Sequence, residues 1–166
     1  MIKFSCEKVF LQNAIAVTSR AVAQKSSIPA LEGLLIHADQ QLTISGYNMQ
    51  TGIRTNVFAN VVEGGDIVLN ARLFGDIIRR MPGDMITFTA DEKMMVHVSC
   101  GDADFDILGL SAADYPELPE VEDEYAVSMK QSVLRRMIEE VAFAVSTNES
   151  RPVHTGALFE SENMCL

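Results

Sequence analysis

One order of elements recurs three times along this chain, and that recurrence limits the fold more than any other feature does. A strand ending at Cys6 leads into an amphipathic helix carrying Phe10-Leu11 and Ala14-Ile15. A strand ending at Leu69 leads into a helix carrying Leu73-Phe74 and Ile77-Ile78. A strand ending near Met129 leads into a helix carrying Val133-Leu134 and Met137-Ile138. The starts are roughly 60 residues apart, a spacing that marks repeated supersecondary units. Each helix precedes a hairpin with a small residue and an acid at its turn: Ala38-Asp39, Ala90-Asp91 and Ser161-Glu162. The reading is a strand–helix–strands unit used three times, with the third copy ending inside its first hairpin.

Periodicity places the helices at about 7–22, 70–81 and 130–146. Their apolar stripes are expected to be Phe10, Leu11, Ala14, Val17 and Ala21; then Leu73, Phe74, Ile77, Ile78 and Met81; then Val133, Leu134, Met137, Ile138 and Val141. Alternation marks strands at 34–38, 42–45, 52–62, 84–90, 94–99 and 103–108. The expected fold class is α+β, with helices on one face of antiparallel sheets. SAADYPELPEVEDE (111–124), with two prolines and a dense acidic run, reads as an interdomain connector. Domain one is expected at 1–117, a linker at 118–124, and the start of a second domain at 125–166. A second piece that short rarely folds on its own, so the chain reads as a fragment of a longer protein.

The formal net charge is −10, which would ordinarily argue against a polyanionic partner. The charge is unevenly spread, however. The three helical windows hold eight of the 13 Lys and Arg residues but only four of the 23 acids, a net of +4 against −14 elsewhere. Arg72 and Arg79 lie opposite the apolar stripe of their helix, with Arg80 at its edge. For any single helix this could be a solvated face. Repeated helices set side by side would merge such faces into one positive surface, able to attract phosphates without reading bases. Only Phe143 interrupts the basic residues with an aromatic ring, so stacking on single-stranded bases is not expected.

Catalytic patterns are weak. Ser5-Cys6-Glu7-Lys8, Ser146-Thr147-Asn148 and His154-Thr155-Gly156 approximate the motifs of penicillin-recognising enzymes. Ser5 nevertheless precedes any scaffold that could enclose it, and the last two motifs lie too close together. His97 and Cys100 form an isolated H-x-x-C, and His37 lacks a neighbouring nucleophile. Asp102, Asp104 and Asp106 alternate on one strand and read as a polar edge against aggregation. No enzyme activity and no cofactor are expected. Three widely spaced cysteines, no apolar leader and no membrane-length run point to a cytoplasmic protein.

Several stretches resemble the bacterial sliding clamp family, the β subunit of DNA polymerase III. They are LTISGYNMQTGIR (42–54), LNARLFGDIIRRMPG (69–83), the AADYP connector and RRMIEEVAFAVSTNESRPVHTGALFE (135–160). The resemblance implies a DNA-clamp fold of three similar domains, with two subunits joined head to tail in a ring around double-stranded DNA. It implies a noncatalytic processivity factor that tethers DNA polymerase III and is placed on DNA by a clamp loader. Lys25 then matches a basic loop residue touching DNA, Arg72 an arginine of the second helix with the same role, and Asn148 a polar contact. Arg79 would face the duplex beside Arg72. Pro152 and Val153 stand where some clamps carry paired tyrosines, leaving Asn148 and Arg151 for that loop. The strand 103–108 resembles the edge that pairs with a neighbouring subunit, and the peptide-binding cleft falls largely beyond residue 166. The alternative is a nonspecific DNA-binding protein that grips by charge without encirclement. A 166-residue chain is not expected to close the ring.

Overall fold

Residues 1–119, 127–148 and 150–160 are described by a computed structural model of the chain. The chain divides into two compact units, Met1–Pro119 and Glu120–Leu166.

The first unit contains nine strands and two α-helices in two copies of the strand–helix–strands order. The first copy runs β1 (Ile2–Glu7), α1 (Lys8–Thr18), β2 (Gly33–Ala38), β3 (Leu42–Tyr47) and β4 (Gly52–Val57). After β5 (Ala59–Glu63), the second copy runs β6 (Gly65–Asn70), α2 (Ala71–Arg80), β7 (Met85–Ala90), β8 (Met95–Cys100) and β9 (Ala103–Leu108). Two antiparallel sheets result, in the orders β5-β1-β7-β8-β9 and β4-β3-β2-β6. Each copy therefore gives its first strand to the other copy's sheet. β1 pairs with β7 from Ile2↔Ala90 to Glu7↔Met85, and β6 pairs with β2 from Asn70↔Gly33 to Gly65↔Ala38. This exchange interlocks the copies, so neither sheet is complete without both.

One apolar core joins the two sheets and both helices. Phe4, Phe74 and Phe88 are fully buried at its centre, with Phe4 stacked on Phe88 at 4.5 Å and Phe74 edge-on to Phe88 at 6.2 Å. Burial of such rings supplies the largest side-chain contribution to a core of this size. A smaller cluster of Ala30, Leu31, Tyr47, Val68 and Tyr115 lies under the start of the connector. Burial pushes the Tyr115 phenol up to about 12, while its hydroxyl donates to the Ser45 carbonyl at 3.4 Å.

Several expectations shift. The alternation through 52–62 hides two strands in different sheets, broken at Phe58, where the chain crosses from one sheet to the other. Period-2 patterning cannot reveal this, because the alternation survives the crossing. The apolar stripe of α1 is turned from its expected line: Leu11, Ala14, Ile15 and Thr18 are buried, while Phe10 and Val17 are exposed. Thr18 tolerates full burial because its hydroxyl donates to the Ala14 carbonyl at 2.7 Å. Phe10 instead meets Phe58 edge-on. On α2 the stripe is Phe74, Ile77, Ile78 and Met81, with Leu73 left exposed. Asp102 lies in the turn before β9, so only Asp104 and Asp106 share the strand face, on the outer edge of the five-stranded sheet.

In the second unit, α3 spans Gln131–Val141 and a 3₁₀ turn follows at Ala142–Ala144. The strand expected to end near Met129 does not form over 127–130, which has no sheet partner among the described residues. Val133, Met137, Ile138 and Val141 are exposed and Leu134 is half-buried, and no strand among the described residues covers the expected stripe. The core of the linker and the Ser161-Glu162 turn lie outside the described residues.

Candidate nucleic-acid interface

α2 is framed by specific contacts at both ends. Asn70 caps its N-terminus, its Oδ1 accepting from the Leu73 amide at 2.9 Å. At the other end Lys8 Nζ donates to the Met81 carbonyl at 2.6 Å, and the Lys8 amide donates to the Asp84 carbonyl at 2.7 Å. A lysine from the first turn of α1 thus satisfies the end of α2, running the two helices antiparallel. Lys8 is therefore spent on structure, and the positive helical surface is smaller than the sequence count suggests. The same bond removes Lys8 from any pairing with Ser5, which lies inside strand β1.

The α1–α2 groove collects much of what remains. Gln12, Ala16, Ser19, Arg72, Asp76 and Arg79 are among its lining residues, in a cleft of about 230 Å³. Arg72 and Arg79 share this groove and are both exposed. Arg79 and Arg80 sit in the last turn of α2, where cations complement the helix dipole. Arg72 sits in the first turn, where the dipole opposes a positive charge. A residue that works against its own helix is a candidate for a task outside it. The Asp76 carboxylate is paired with Arg79 one turn away, whereas no ion pair involves Arg72 among the described residues.

A second cleft, of about 520 Å³, adjoins the first and shares Ser19, Ala71 and Arg72 with it. Its other walls include Gln24, Glu32 and Asn70, which brings the loop bearing Lys25 beside the N-terminus of α2. Lys25 is exposed in that loop. The approach depends on Gly46 of β3: a Cβ there would lie 2.2 Å from the Thr18 carbonyl oxygen, so only glycine lets the end of α1 settle on the sheet. Arg72 and Arg79 therefore share one groove, and the loop that carries Lys25 reaches the Arg72 end of it through Gln24.

Asn148 and Arg151 belong to the second unit. The Asn148 side-chain carbonyl accepts from the Ser150 amide at 2.9 Å, and the Asn148 amide donates to Ser146 Oγ at 3.0 Å. The Ser146 amide closes the loop onto the His154 carbonyl at 2.9 Å. Arg151 is exposed just before the 3₁₀ turn Pro152–Thr155.

Among the described residues, the histidines and cysteines singled out in the sequence are not brought together. His97 is exposed on β8, its Nδ1 2.9 Å from Asp106 Oδ1 across the strand pair, while Cys100 points inward and is buried. His37 is paired likewise with Asp66 across β2 and β6. Burial raises the Cys6 thiol to about 12, far from a reactive thiolate. Among the described residues no three metal-ligating side chains converge, and no helix is long and apolar enough to cross a membrane.

Two interlocked strand–helix–strands copies, with a groove between their helices that holds Arg72 and Arg79, define a domain of the kind that builds DNA clamps. Residues 2–119 match the family described as DNA polymerase III beta subunit, N-terminal domain, and the chain belongs to that family. It is 34% identical to the beta sliding clamp of Lactococcus lactis over 97% of its own length and 44% of that protein's. It is also 34% identical to the beta sliding clamp of Halalkalibacterium halodurans, again over 44% of the relative. Among solved structures, the beta subunit from the DNA polymerase of Streptococcus pyogenes superposes with a TM-score of 0.85 at 31% identity, covering 92% of this chain and 42% of that one. A putative DNA polymerase III beta subunit from Eubacterium rectale gives 0.90 at 29% identity, covering 94% and 43%. The chain thus spans less than half the length of the relatives it matches.

Proposed function

We propose that the chain supplies the first domain, and the opening of the second, of a sliding clamp that encircles duplex DNA and tethers DNA polymerase III. The helical side carrying Lys25, Arg72 and Arg79 faces the duplex, with Asn148 and Arg151 adding contacts from the second domain. Domain one covers about 1–117, residues 118–124 connect, and domain two begins at about 125. In the complete protein two subunits meet head to tail, a clamp loader opens and places the ring, and the work is done in the cytoplasm without covalent chemistry. Because the grip is topological, the contacts need only be weak and independent of sequence, which lets the ring move.

The observation that carries this reading is the family match over 2–119 together with an exposed basic cluster on the α1–α2 side. The test replaces the matching domain of the Lactococcus lactis clamp with residues 1–119 of this chain. The chimera is loaded onto a nicked circular plasmid, which is then cut once at moderate salt. Release on linearisation is the expected result. Retention on both circular and linear DNA would support the charge-only alternative and remove the clamp reading. Within the chimera, Arg72→Ala is expected to leave retention on circles nearly unchanged, because topology rather than charge holds the ring.

A further inference from the structure

Glu32 is an acid set between Arg72 and the loop that bears Lys25, where a positive surface alone would not call for one. It lines the same cleft as Arg72, Asn70 and Gln24. Its Oε1 accepts a hydrogen bond from the Ser26 amide at 3.0 Å, across the base of the loop that bears Lys25. The rest of that loop is tied by short-range bonds: Ala23 N–H to the Leu31 carbonyl at 3.0 Å, Leu31 N–H to the Ile28 carbonyl at 3.1 Å, and Ile28 N–H to Ser26 Oγ at 3.1 Å. Beneath it Ala30 and Leu31 are buried in the smaller core cluster, so the far side of the loop is fixed. The segment on either side of Lys25 has less to hold it. Of these bonds, the one from Ser26 to Glu32 is the only one made to a charged group, and it reaches the residue next to Lys25. An amide bound to a carboxylate is held roughly twice as strongly as one bound to a neutral acceptor.

We propose that Glu32 is a positioning residue, whose carboxylate holds the loop so that Lys25 stands beside Arg72 on the DNA-facing side. The proposal rests on the clamp reading and adds a residue to it. It makes a prediction opposite in sign to charge alone. Removing an acid from a basic surface ordinarily tightens DNA binding. If Glu32 works by aiming Lys25, its removal loosens binding.

The experiment titrates the 166-residue chain with a labelled duplex at low salt, and compares wild type with Glu32→Ala and Glu32→Gln. Equal thermal midpoints establish that both variants are folded. Glu32→Ala is expected to bind about threefold more weakly, with the salt dependence lowered as one phosphate contact is withdrawn. Glu32→Gln keeps an oxygen acceptor and is expected to bind at least as well as wild type. Amide exchange at Ser26 is expected to rise about tenfold in the alanine variant and by less than that in the glutamine variant, whose neutral acceptor holds the amide more weakly than the carboxylate does. Wild-type binding together with equal or tighter binding by Glu32→Ala would overturn the inference while leaving the clamp reading intact, as would unchanged Ser26 exchange. No duplex affinity in the wild type, even at low salt, would overturn the inference, since Lys25 would then have no phosphate contact to be aimed at, and would leave the clamp reading to the linearisation test.

Discussion

α2 and α3 are written in nearly the same pattern and meet opposite surroundings. Each carries a pair of arginines, Arg79-Arg80 and Arg135-Arg136, and each presents an apolar stripe at helical spacing. Each also pairs an arginine with an acid one turn away: Arg79 with Asp76, Arg135 with Glu139 and Arg136 with Glu140. On α2, Phe74 and Ile78 are fully buried, whereas on α3 Ile138 is 45% exposed. The difference is not in the helices. α2 lies against the strands of both copies, and the described residues give α3 no sheet to cover. A stripe states what a helix needs, and the neighbours decide whether the need is met.

The largest expected effect sets these two stripes against each other. Phe74→Ala should destabilise the first unit by about 3–5 kcal/mol, since it empties the centre of the core. Ile138→Ala should change the melting of that unit by less than about 0.5 kcal/mol. Chemical denaturation followed by far-UV circular dichroism checks both, and equal effects would mean that the stripes do not differ as described.

Alkaline stability sharpens the same contrast, because among the described residues the groups with raised pKa belong to the first unit. Cys6 and Tyr115 are both pushed up to about 12, from ordinary values of 9.0 and 10.0. Between those limits the folded state binds more protons than the unfolded one, so stability falls as pH rises. The contribution is complete below about pH 9 and lost on passing 12. Melting temperature should therefore fall over pH 9–12, and Cys6→Ala should flatten the fall, most clearly from its start. A profile that does not fall in this range would contradict the burial assigned to both groups.

A smaller effect tests how α2 is held at its end, a device α3 lacks among the described residues. Lys8→Met keeps much of the side-chain bulk but removes the bond to the Met81 carbonyl, and should cost about 1 kcal/mol. Thermal unfolding measures it. The smallest effect tests the feature that the two helices share. Asp76→Asn and Glu139→Gln each remove an exposed helical ion pair, worth about 0.3 kcal/mol to stability. If α2 faces the duplex, Asp76→Asn should also steepen the salt dependence of duplex binding, and do so less in an Arg79→Gln background. An equal change in both backgrounds would mean that Asp76 acts through general charge rather than through Arg79.

Within the first unit, the sequence by itself determined most of the elements and their order, though not the strand expected before the third helix. Helical and strand periodicity set the three helices to within a few residues, and the repeated order set the α+β class, since local patterning follows from each residue's own preference for apolar or aqueous surroundings. Motif resemblance led from there to the family. The tertiary structure alone decided three further matters. It exchanged β1 and β6 between the two copies, and it split the alternating run 52–62 at Phe58 into strands of different sheets. It also sorted the charges, assigning Lys8 to the end of α2 and Glu32 to the loop beside Lys25 while leaving Arg72 exposed in the groove. A strand pattern says which face is apolar but not which edge finds a partner, and a charged residue reads alike whether it holds a backbone or faces solvent. Both are settled by distances between residues far apart in sequence, and those exist only once the chain has packed.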